Sequence, residues 1–166
     1  MGTLHRLASL HAVWPLLIAA CSSYSPSGLA PGTSAAQAQQ SMGKPTGSYE
    51  LPGGGRRLEF ARGPVGIHTF MLDFDAQDRL VRWEQVLTEQ HFLELHAGMT
   101  KEEVLQRVGH PGNASYFPRQ QQNVWSYRYE NSFCLVLEID LDRNERVTSV
   151  GHGMDPLCRD ANDGGM

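Results

Sequence analysis

The sequence predicts an α+β fold made of two tandem small units, each a short helix or helix pair packed on a three-stranded antiparallel sheet. Three observations carry that reading. Gly32 to Pro45 (GTSAAQAQQSMGKP) and Gly98 to Pro111 (GMTKEEVLQRVGHP) share a glycine, a hydroxyl residue two positions on, and a closing Gly-x-Pro, 66 residues apart. Phe133 to Leu141 alternates strictly, with Phe133, Leu135, Leu137, Ile139 and Leu141 on one side, as a strand with one buried face requires. The 166 residues are 40% hydrophobic and 19% charged, a globular composition for one ordinary domain or two small ones.

The chain opens on a leader. Met1 to Arg6 holds His5 and Arg6 and no acid, and Leu7 to Ala20 is mostly apolar but interrupted by Pro15. A short basic start, an apolar stretch and small residues at its end describe an export signal over residues 1–20. Residues 21–31 follow as a tether, where Tyr24 to Gly28 (YSPSG) breaks any helix.

The first unit covers residues 32–87. Ser34-x-x-Gln37 is a capping box, in which the hydroxyl accepts an amide hydrogen bond and the glutamine reaches back. Gly43 suits the left-handed helix end and Pro45 prevents continuation. Strands are expected over 57–61, 66–74 and 79–87. Asp73, Asp75 and Asp78 crowd the last turn and read as its solvated acids, since no calcium-loop pattern surrounds them.

The second unit covers residues 88–157. Thr88 to Leu95 reads as a short connecting helix. Thr100-x-x-Glu103 repeats the capping box, Val104 and Val108 face a core, and Gly109-x-Pro111 ends the helix. Strands are expected over 124–129, 133–141 and 146–150, with 112–123 as an exposed loop. Trp125-Ser126-Tyr127 aligns with Leu58-Glu59-Phe60, and Leu137, Ile139 and Leu141 align with Phe70, Leu72 and Phe74, at an offset of 67. One inserted residue after the helix accounts for the change of offset, and the ordered run of matches indicates duplication. Residues 158–166 form a polar tail expected to fray.

Composition excludes several classes. A net charge of -4 and a pI near 5.9, with no basic cluster, argue against nucleic-acid binding. No apolar run after the leader approaches ~20 residues, the length of a membrane-spanning helix. The histidines do not cluster, no nucleophile elbow appears, and Gly53-Gly54-Gly55 lacks the lysine and helix of a phosphate loop. The chain is read as non-enzymatic, with no cofactor or metal.

Ile18-Ala19-Ala20-Cys21 resembles the lipobox of bacterial lipoproteins. That resemblance implies cleavage before Cys21 and covalent lipid on it, and Ser22 rather than aspartate implies the outer membrane. Several acyl chains hold a protein firmly, at ~0.8 kcal/mol per buried CH2. Leu95-x-x-Gly98-Met99-Thr100, Val104, Gly109-x-Pro111, Trp125-Ser126-Tyr127 and Asp142 to Val147 look like the SmpA/OmlA (BamE-like) family of outer-membrane lipoproteins, most closely over residues 91–150. The resemblance implies an accessory component of the β-barrel assembly machinery on the periplasmic face of the outer membrane. The family has one such unit where this chain has two, and its opening Tyr-Arg-Pro stretch is absent.

Tyr116, Phe117 and Arg119, which combine aromatic area with a forked cation, are candidates for partner contact; the alternative is a solvated hairpin connection. Trp125 and Tyr127, alternate in a strand, are either core residues or an interface pair. Cys134 and Cys158 are candidates for a disulfide in an oxidising compartment. A second functional reading is a tandem-domain inhibitor or recognition protein, on a resemblance of the paired units to the β-lactamase inhibitory protein. A secreted inhibitor has no need of a lipidated Cys21.

Overall fold

The computed structural model describes residues 24–158. The lipobox cysteine Cys21, the leader before it and the tail from residue 159 lie outside the described residues.

Each unit is a helical segment followed by four antiparallel strands. The first contains α1 (Ala35–Met42), β1 (Gly47–Glu50), β2 (Arg56–Ala61), β3 (Thr69–Phe74) and β4 (Leu80–Gln85), in sheet order β1-β2-β3-β4. The second contains α2 (Glu89–Phe92), α3 (Lys101–Val108), β5 (Asn113–Phe117), β6 (Gln122–Arg128), β7 (Leu135–Leu141) and β8 (Val147–Met154), in order β5-β6-β7-β8. The expected three-stranded units therefore gain a strand each. β1 and the residues assigned to an exposed loop, now β5, run antiparallel to β2 and β6 as edge strands.

The structural repeat is visible bond by bond. Both capping boxes form, at Ser34/Gln37 and Thr100/Glu103. Gly43 and Gly109 close the two helices with φ of 90° and 78°. Ser34 bridges to Arg79 and Thr100 to Arg146. Asp75 accepts the amides of Gln77 and Arg79 in the first turn, and Asp142 accepts those of Asn144 and Arg146 in the second. Both third strands carry a register shift at the same place, Asp73/Phe74 and Asp140/Leu141.

Two cores result. α1 lays Ala35, Ala38 and Met42 on Leu58, Phe60 and Leu72 of the first sheet. Small alanines let this weakly amphipathic helix lie close to the strands. α2 and α3 bring Phe92, Val104 and Val108 onto Tyr127, Leu137 and Ile139 of the second sheet. The opposite face of the first sheet is also buried: Glu59, Thr69, Met71 and Asp73 are all below a tenth exposed. The helices of the second unit cover it. Arg57 donates to the Gln106 carbonyl at 3.0 Å, and His91 lies 3.5 Å from Glu84. The layers thus run α1, first sheet, α2 with α3, second sheet. The outward face of the second sheet carries no such helix pair among the described residues; Pro64 and Val65 of the first unit and residues 155–157 pack on part of it.

Two expected local details differ. Asp73 is not a solvated turn acid: it sits inside β3 and holds Arg57 through Nε at 2.6 Å and Nη2 at 2.9 Å. β7 begins at Leu135 rather than Phe133. The Asn131 side chain takes both the Phe133 and Leu135 amides, Cys134 turns left-handed at φ 54°, and Phe133 is left 77% exposed.

Candidate docking surface

A carboxylate set between two core residues of β2 fixes the two units to each other. Glu59 lies between Leu58 and Phe60 on β2, is fully buried, and faces the second unit. Its Oε1 accepts from Thr46 Oγ1 at 2.8 Å and from the His110 amide at 3.0 Å. Its Oε2 accepts from the Tyr49 hydroxyl at 2.5 Å and meets His110 Nδ1 at 2.8 Å. A buried carboxylate is costly unless its acceptors are filled. Here four groups from two units fill them.

Burial, reinforced by the hydrogen bond to Glu59, holds the Tyr49 phenol protonated far above its usual range. Burial does the same for Tyr127, which donates to the Gly109 carbonyl at 2.9 Å. Gly109 is required twice over. It is left-handed, and a Cβ there would stand 2.9 Å from both the Glu59 carboxyl carbon and the Thr69 methyl. With its acceptors occupied and its side chain fully buried, Glu59 acts as a clamp between the units. The sequence offered one signal of this junction, an acid where the second repeat has Ser126.

The predicted contact residues separate into buried and exposed sets. Trp125 and Tyr127 are 7% and 1% exposed and lie in the core of the second unit, because their side of β6 faces α2 and α3. They pack in that core, the first of the two readings the sequence left open. Tyr116 and Phe117 are 59% and 45% exposed on edge strand β5, and Arg119 is exposed in the turn that follows. The two rings point to opposite faces, as neighbours in a strand must. Phe117 pairs with Gln122 on the outward face, and Tyr116 with Asn123 on the helix side.

The Cys134–Cys158 disulfide forms, with Cα atoms 6.0 Å apart. It ties the turn after β8 to the turn before β7, and Arg128 supports the same corner through Asp155 at 2.7 Å. A disulfide fits an oxidising, extracytoplasmic compartment. Beside this corner an apolar groove of about 230 Å³ opens on the outward face of the second sheet. Pro64 and Val65 of the first unit and Pro156 and Leu157 of the second form its walls. Among the described residues no three His, Cys, Asp or Glu side chains meet as a metal site, and no helix is long and apolar enough to cross a membrane.

No protein-family model matches the chain, and no curated protein matches it. Among solved structures it is similar to a cysteine-rich secretory protein from Staphylococcus aureus, at 10% identity and a TM-score of 0.29, over 79% of this chain and 47% of that one. The chain spans about half the length of that structure, and a likeness this distant carries no argument about fold or function.

Proposed function

We propose that this chain is a non-enzymatic lipoprotein, held by covalent lipid on Cys21 at the periplasmic face of the outer membrane, where it serves as a docking component in β-barrel assembly and envelope integrity. The reading rests on the lipobox-like leader, on the SmpA/OmlA-like motifs, and on the disulfide as a mark of an oxidising compartment. One geometric observation supports docking in particular. The clamped pair of units presents an edge strand with exposed Tyr116 and Phe117 beside a sheet face that α1 to α3 do not cover. Exposed aromatic area on rigid backbone is the usual anchor of an interface.

Affinity isolation of the lipidated protein from envelope, followed by identification of what copurifies, tests the proposal. Barrel-assembly subunits are expected, and the Tyr116→Ala/Phe117→Ala double variant is expected to lose them while keeping its thermal transition. An unchanged recovery with that variant removes β5 from the interface. The second reading, inhibition or recognition of a single envelope or secreted protein, draws on the joining of the two units through the Glu59 contact with His110. Recovery of one soluble enzyme in place of assembly subunits would favour it.

A further inference from the structure

The outward faces of the two sheets are equivalent by duplication but differently occupied. On the first, the loop after α3 is seated, and its His110 brings an amide and an imidazole to the carboxylate of Glu59. On the second, Ser126 stands in the place of Glu59, and its partner directly across β7 is Glu138. Glu138 lines the apolar groove with Val136, Pro64, Val65, Pro156 and Leu157. The arginine that shares the groove does not neutralise it. Arg128 is committed to Asp155 at 2.7 Å and to the Val65 carbonyl at 3.0 Å, which leaves the Glu138 carboxylate without a cationic partner among the described residues. Its orientation is built in. A Cβ on Gly153 would stand 2.6 Å from the Glu138 carboxyl carbon, so glycine at that point makes room for the acid to lie across the strand.

We propose that this groove is a docking site for a partner protein segment that inserts a long cationic side chain, lysine or arginine. The methylene stem packs on the proline, valine and leucine walls, and the charged head pairs with Glu138. Such side chains favour this arrangement, an apolar stem along apolar surface and a charge at its end. The walls come from both units and from the turn pinned by the disulfide, so the groove depends on the clamped, oxidised protein. The inference deepens the docking function proposed above and supplies the chemistry of the docked segment.

The test is an amide-resolved NMR titration of the purified full-length protein in detergent with three probes: N-acetyl-arginine amide, its uncharged isostere N-acetyl-citrulline amide, and N-acetyl-leucine amide. Saturable shifts are expected at Val136, Glu138, Gly153 and Leu157 with the arginine probe. Both the citrulline probe and the Glu138→Gln protein are expected to bind about fivefold more weakly, the ratio for loss of one part-exposed ion pair. No saturable shift, or equal binding of arginine and citrulline probes, overturns the proposal. Binding that appears only after Arg159→Gln would give the groove to the chain's own tail and also overturn it. The same holds for concentration-dependent shifts without any probe, which would mark a second copy as the occupant. These outcomes are independent of membrane location and copurification, so a failure here is separable from a failure of the assembly function.

Discussion

Glu59 gathers four hydrogen-bond partners from both units at one buried side chain. Replacing it with alanine removes the hydrogen-bond partner of Tyr49, Thr46 and both the amide and the ring Nδ1 of His110 at once. Loss of one member of a buried hydrogen-bonded charge network costs about 3 kcal/mol, so Glu59→Ala is expected to lower the urea midpoint clearly; a midpoint within error of the parent contradicts the clamp. The phenols give a second residue-scale test. Burial, with a hydrogen bond to Glu89, pushes Tyr129 up to about 12, and burial pushes Tyr24 up to about 12 despite Arg62 nearby. Raised folded values favour the neutral form in the native state. Their contribution is therefore fully present below the unfolded phenol value of ~10 and is lost as pH rises through about 12. Stability is expected to fall over that window, and tyrosinate absorbance to rise later in the folded chain than in the denatured one.

Elements with both ends signalled were legible from residues alone. The capping boxes at Ser34 and Thr100, the left-handed Gly43 and Gly109, and the alternation through Leu137, Ile139 and Leu141 placed both main helices and six strands. The two missed strands are edges. β1 (GSYE) and β5 (NASYF) are short and polar, because an edge strand faces solvent on much of its surface and needs little apolar alternation. The same polarity made β5 resemble a loop, although its two rings were correctly picked as exposed. Trp125 and Tyr127 could not be separated from an interface pair until the helices over them were placed. At this scale Gly109 is the sensitive point. Gly109→Ala combines a left-handed backbone with a Cβ driven into Glu59 and Thr69, and about 2 kcal/mol or more of destabilisation is expected. Gly43→Ala, left-handed too but with nothing within 4 Å, is expected to cost less. Equal effects in denaturation of the two variants would contradict close packing at the junction.

At the scale of the whole molecule, the stacking of one unit on the other was not legible. It depends on Glu59 meeting His110, 51 residues away, and on Arg57 reaching the Gln106 carbonyl, contacts that no local pattern encodes. The disulfide was legible as a pairing of the two cysteines left after Cys21, but its place in a turn rather than a central strand was not. Reduction is expected to cost roughly 3 kcal/mol in the loop-entropy treatment, read as a lower thermal midpoint and loss of the groove formed beside Asp155 to Leu157. An unchanged midpoint in the Cys134→Ser/Cys158→Ser protein would show that the C-terminal turn holds itself.

The location at which this body works is tested most directly by the mass of the N-terminal peptide recovered from separated envelope and cytosolic fractions. A peptide starting at Cys21 and carrying a diacylglyceryl thioether and an acylated amine, found in the outer-membrane fraction, is the predicted result. A soluble cytosolic protein that retains Met1 to Ala20 with an unmodified Cys21 thiol would contradict it.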